Sequence, residues 1–104
     1  MDVTFNETYL KQLYVDGKST DKKHRFQPQI VRGYQKAIKY LLVTNRPEDL
    51  YPIRSLHFEA LSGDKEGLYS VKANAQYRVE FTIKQEGEPS ITICNIITLS
   101  NHYK

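Results

Sequence analysis

The chain has 104 residues, 39 % hydrophobic and 26 % charged, with a net charge of +3. That length supports one core, so residues 1–104 read as a single domain, and the composition is that of a globule rather than a disordered tail. No apolar run approaches membrane-spanning length, and the start Met1-Asp2-Val3-Thr4-Phe5 has no basic-then-apolar leader. The one cysteine, Cys94, cannot close an internal disulfide, so a reducing, cytoplasmic setting is expected.

Val3 and Phe5 alternate with polar neighbours and predict a short first strand. Tyr9, Leu10, Leu13 and Tyr14 then recur at helical spacing, with Asn6 placed to cap the helix and Gly17 to end it. A basic connection from Lys18 to Gln27 follows. Pro28 fits the first turn of a second helix, whose apolar face is Ile30, Val31, Tyr34, Ala37, Ile38, Leu41 and Leu42. Gly33 inside that helix costs about 1 kcal/mol against alanine, which points to close packing on a neighbour. Residues 18–39 hold seven cations (Lys18, Lys22, Lys23, Arg25, Arg32, Lys36 and Lys39) against Asp21 alone, an excess of six. A face of this kind attracts polyanions or an acidic protein, and equally suits a solvated helix and loop. Thr44 to Asp49, with Pro47, is a boundary with room for one more helical turn.

The remainder predicts strands. Ser55-Leu56-His57-Phe58 is expected to be extended, and Leu61 to Gly67 to form a loop. Tyr69 and Val71 share one parity, as do Tyr77, Val79, Phe81 and Ile83. Both sets reach one core only if Val71 lies opposite Val79 and Tyr69 opposite Phe81, around an odd loop centred near Ala75. That register sets Lys72 opposite Arg78 on the other face. Two cations paired across strands repel, and an anionic ligand would relieve them. Gln85 to Pro89 is a turn by composition. From Ile91 to Leu99 both parities are apolar, which predicts an interior strand buried on both faces. Two helices before an antiparallel sheet make an α+β architecture.

The run Gly63-Asp64-x-x-Gly67-x-Tyr69-Ser70-Val71-Lys72-x-Asn74-x-x-Tyr77-Arg78-Val79-x-Phe81, followed by a last strand and a late histidine, resembles the RelE/ParE superfamily of toxins. Within it the match is to the HigB, or plasmid maintenance killer, branch. The resemblance implies the RelE-like toxin fold, two N-terminal helices packed on a small antiparallel β-sheet. It implies a type II toxin that acts as a ribosome-dependent mRNA endoribonuclease without a metal. Its partners would be the ribosome, mRNA and a cognate antitoxin of helix-turn-helix, HigA-like type, with DNA reached only through that antitoxin. A ParE-like gyrase poison and a non-catalytic RNA- or protein-binding module are the alternatives. The resemblance gives Arg78 as the phosphate-contacting arginine and sets His57 and His102 at the places of proton-transferring histidines. For His57 a structural role is equally open. Lys72 stands where relatives usually carry an arginine and can neutralise phosphate as a point charge.

Lys65, in the Gly-Asp-x-x-Gly loop, is a candidate RNA-backbone contact, and Tyr103 could stack on a base or donate a proton. Tyr77 shares parity with Val79 and is assigned to the core. The histidines and the cysteine are dispersed without zinc spacing, and no Walker loop or GxGxxG frame occurs, so no cofactor is expected.

Overall fold

The computed structural model describes residues 1–101; His102, Tyr103 and Lys104 lie outside the described residues. The elements run β1 (Asp2–Phe5), α1 (Thr8–Asp16), α2 (Pro28–Val43), β2 (Glu59–Ala60), β3 (Tyr69–Lys72), β4 (Tyr77–Glu86) and β5 (Ile91–Asn101). Short 3₁₀ turns occupy Pro47–Leu50, Arg54–Leu56 and Gly63–Lys65. The sheet order is β1-β5-β4-β3-β2. All neighbours are antiparallel except β1, which joins β5 in parallel after the two-helix crossover. The expected α+β fold is present, with one parallel edge that the sequence did not disclose.

Both helices begin and end for local reasons. Gly17 closes α1 in the left-handed region at φ +76°, and Pro28 occupies the first turn of α2. Asn6 does not cap α1: Glu7 holds that position, while the Asn6 amide donates to the Ile96 carbonyl and so prolongs the β1–β5 pairing. The helices are tied across their interface. The Tyr34 hydroxyl donates to the Leu10 carbonyl at 2.7 Å, and the Gln35 amide reaches the Leu13 and Tyr14 carbonyls that α1 leaves unpaired near its end. Leu42, assigned to the apolar face of α2, is 40 % exposed instead.

The core lies between the helices and one sheet face. Leu10, Leu13, Tyr34, Ile38 and Leu41 meet Val71, Val79, Phe81, Cys94 and Ile96, and all ten are almost fully buried. The hairpin register is the expected one, with Val71 opposite Val79, Tyr69 opposite Phe81 and Lys72 opposite Arg78. Tyr77 is partly buried against this core and meets the Phe26 ring edge-on.

Two strand expectations need correction. Ser55 to Phe58 is not extended: Arg54–Leu56 is a 3₁₀ turn and His57 adopts a left-handed conformation at φ +46°, so the strand starts only at Glu59. The β5 strand is interior to the sheet, but its mixed parity comes from a bulge. Glu80 pairs with Thr98 and Phe81 with Ile96, so Ile97 is an extra residue. The bulge lets Cys94, Ile96 and Leu99 all face the core despite their different parities.

Gly33 has a specific neighbour. A Cβ there would stand 1.9 Å from the Ala73 carbonyl oxygen, so α2 rests directly on the backbone just past β3. Gly33→Ala is expected to lose about 1–3 kcal/mol through overpacking, more than helix propensity returns. Urea denaturation of the two proteins measures this difference.

Burial also controls the alkaline limit. It pushes the Cys94 thiol up to about 11 and raises the Tyr9 and Tyr34 hydroxyls above their usual value. The folded state therefore holds these protons more tightly than the unfolded chain. Their stabilising contribution is complete below the unfolded values, about 8.5 for cysteine and 10 for tyrosine, and is lost as pH rises through the folded ones. Stability is expected to decline from about pH 8.5 upward, and Cys94→Ala should flatten the first part of that decline, before tyrosine ionises. Denaturation midpoints at pH 7.5, 9 and 10 (values spaced around roughly the unfolded thiol value) check it.

Candidate active site on the open sheet face

Residues directly paired across strands share a face, which orders the side of the sheet away from the helices. One row runs Glu59, Ser70, Glu80 and Thr98 across β2, β3, β4 and β5. The next row runs Lys72, Arg78 and Ser100. The segment from His57 to Lys65 reaches both rows, with the His57 carbonyl on Arg78 and the Lys65 ammonium on Glu80, and three polar residues of this outward face, Ser70, Arg78 and Glu80, are buried.

Arg78 is the hub. Its side chain is only 7 % exposed. Its Nε donates to Ser70 Oγ at 2.9 Å and its Nη2 donates to the His57 carbonyl at 2.9 Å. The same Nη2 stands 3.4 Å from Glu59 Oε1. Glu59 turns its other oxygen toward His57, with Oε2 3.6 Å from Nε2 of an imidazole that is 62 % exposed. The left-handed backbone at His57 is part of this arrangement, because His57 carries both the carbonyl that anchors Arg78 and the ring that faces Glu59.

A second pair lies beside it. Lys65 Nζ donates to Glu80 Oε2 at 2.7 Å, and Ser100 Oγ donates to the same oxygen at 3.2 Å. Glu80 is 7 % exposed and Lys65 is half-exposed. Lys65 thus clips the Gly63–Lys65 turn onto the sheet. Lys72 is exposed and forms no ion pair among the described residues.

The structure therefore brings His57, Arg78, Lys65 and Lys72 to one face of the sheet. His102 and Tyr103 lie outside the described residues. Arg78 is off the apolar stripe, as expected, yet it is not an exposed cation awaiting a ligand. Its strain with Lys72 is partly relieved from within, by Glu59. Sequence reading missed Glu59, Ser70 and Glu80 as partners. The register that placed Arg78 also placed Ser70 and Glu80 on its face, so those two were within reach, whereas Glu59 depended on the short β2 pairing. No three His, Cys, Asp or Glu side chains converge into a metal-holding group among the described residues. A cleft of about 450 Å³ lies elsewhere, along β1 and the start of α1.

Two helices packed on one face of a small, mostly antiparallel sheet is an architecture shared with RelE-like toxins. A family model described as the RelE-like toxin of the type II toxin-antitoxin system HigB matches residues 3–92. The chain belongs to that family, the HigB-like toxins. It is a type II toxin, and membership implies a cognate antitoxin. Among solved structures it is similar to a YoeB/ParE toxin from Agrobacterium tumefaciens, at 16 % identity over 99 % of this chain and 100 % of that one, with a TM-score of 0.56. It is also similar to a point mutant of YafQ from E. coli, at 12 % identity over 96 % of this chain and 91 % of that one, with a TM-score of 0.54. Identities this low establish the fold. No curated protein matches the chain. None of the described helices is long and apolar enough to cross a membrane.

The local packing makes two substitutions behave oppositely. Ser70→Ala removes the acceptor of a buried guanidinium nitrogen and is expected to cost about 1–3 kcal/mol. His57→Gly keeps the backbone carbonyl and relaxes a left-handed residue, so it should leave the melting temperature equal or higher while deleting the imidazole. Thermal unfolding of both variants distinguishes the backbone role of position 57 from its ring.

Proposed function

We propose that this toxin is a ribosome-dependent mRNA endoribonuclease of one domain, working in the cytoplasm by side-chain acid–base chemistry without a metal. The observation that carries the reading is the meeting of Arg78 and His57 in one cluster, beside the exposed Lys72, in a HigB-like chain. In the proposed reaction a ribose 2′-hydroxyl gives its proton to a base and attacks the adjacent phosphorus. The P–O5′ bond breaks, the departing 5′-oxygen takes a proton from an acid, and a 2′,3′-cyclic phosphate remains. Arg78 and Lys72 would hold the phosphate and offset the charge that grows on it. His57 and His102 would move the protons, since histidine titrates nearest to neutral pH. Lys65, once freed from Glu80, and Tyr103 would contact the RNA. The antitoxin would be of helix-turn-helix, HigA-like type, and through it the toxin would meet DNA indirectly.

Burial of Arg78 changes how its role must be tested. Arg78→Ala would leave the buried Ser70 hydroxyl and the His57 carbonyl without their donor and cost about 1–3 kcal/mol, so lost activity would be confounded with lost fold. Arg78→Lys keeps the charge and removes the fork. It is expected to cut single-turnover cleavage on programmed ribosomes on the order of 100-fold, with the fold verified by thermal melting. Expression without antitoxin should arrest growth and truncate translated messages, while an untranslated copy stays whole. Primer extension on the two copies reads this, and intact messages during full arrest would overturn the nuclease reading in favour of a gyrase poison.

The basic stretch from Lys18 to Lys39 is proposed to steer the toxin toward ribosomal RNA. Reversing Lys22, Lys23 and Lys36 to glutamate should weaken ribosome association and flatten its salt dependence. Co-sedimentation across a salt series measures it.

A further inference from the structure

The two carboxylates of the site are held very differently. Glu80 is nearly buried, 2.7 Å from Lys65, and receives a second hydrogen bond from Ser100. Glu59 is 42 % exposed and stands 3.4 Å from the Arg78 guanidinium and 3.6 Å from the His57 ring. Charge-assisted pairs close to about 2.7–2.9 Å when they are fully formed. Both Glu59 contacts are longer than that, so it balances charge without being locked. Its strand is two residues long and lies at the sheet edge, which gives the side chain solvent into which to turn. The remaining Arg78 contacts, to Ser70 Oγ and the His57 carbonyl, hold the guanidinium in place without Glu59.

We propose that Glu59 is an internal counter-anion of this site. Its carboxylate balances the charge of Arg78 and faces the His57 ring in the free toxin, and yields its place on the guanidinium to a phosphodiester of the RNA. This rests on the reading of Arg78 as the phosphate contact. Glu59 acts here as a positioning residue, and no bond is made or broken. The exchange replaces one Arg–anion pair by another, in which a phosphate can accept two parallel hydrogen bonds. Free toxin thereby presents a charge-balanced cluster, and RNA must compete with Glu59 before it is held.

The test is binding of an oligoribonucleotide methylated at every 2′-oxygen, so that no cleavage occurs, followed by fluorescence anisotropy at low salt. Wild type is compared with Glu59→Gln, Glu59→Asp, Arg78→Lys and Glu88→Gln. The last makes the same charge change in the β4–β5 turn, far from Arg78 along β4. Glu59→Gln keeps the shape and removes the charge, and is expected to bind roughly fivefold tighter, the scale of a partly exposed ion pair. Glu59→Asp should return toward wild type, Glu88→Gln should match wild type, and Arg78→Lys should bind more weakly. An unchanged or weaker affinity for Glu59→Gln, with Arg78→Lys still impaired, overturns the counter-anion and leaves the phosphate reading standing. Equal gains for Glu59→Gln and Glu88→Gln also overturn it, since net charge would then explain the effect. Wild-type affinity in Arg78→Lys, or no binding by any of the five proteins, overturns both. Melting temperatures establish that each variant is folded when it is compared.

Discussion

A strand has a side-chain period of two, and in the β3–β4 hairpin that period leaves one workable register. Val71 and Val79 must face the helices, and Tyr69 and Phe81 must flank them, because these residues close the core. A slip by one residue would drive Arg78 and Glu80 into the helix-facing side and expose the apolar stripe. The core therefore decides where the polar cluster lies. Ser70, Lys72, Arg78 and Glu80 share the opposite face because their neighbours are committed to packing.

The helices depend on the same hairpin. Gly33 lets α2 settle onto the Ala73 backbone, so the helix layer is seated on the loop that sets the register. On the other side of the sheet, the chain from His57 to Lys65 is held by the polar groups it covers. Arg78 binds the His57 carbonyl and Glu80 binds Lys65, so this cover is fastened by hydrogen bonds and charge where the helices are fastened by apolar area. Burying Arg78 and Glu80 costs desolvation, and every such group is partnered: among the described residues no buried side-chain nitrogen or oxygen lacks a hydrogen bond. Arg78 and Glu80 are buried within this cluster, whereas Glu59, His57 and Lys72 are more exposed.

Much of this was legible from residue order alone, and the reason is local. Helix ends at Gly17 and Pro28, the parity of Tyr69, Val71, Val79 and Phe81, and the pairing of Lys72 with Arg78 all follow from neighbours a few positions apart. The family was legible too, since the spacing of the hairpin residues carries it. What required the folded chain were contacts between distant segments: the parallel seat of β1 on β5, the Ile97 bulge that merges two parities into one core face, and the burial of Arg78. A bulge leaves no mark in a hydrophobic pattern except apparent two-sided burial. Whether an arginine on an outward face is open or covered depends on a loop 21 residues away in sequence, whose carbonyl receives it. Sequence determined which face Arg78 occupies, through the period of the strand. Tertiary structure decided what it touches there, because Glu59 and the His57 carbonyl reach it only once β2 has paired with β3.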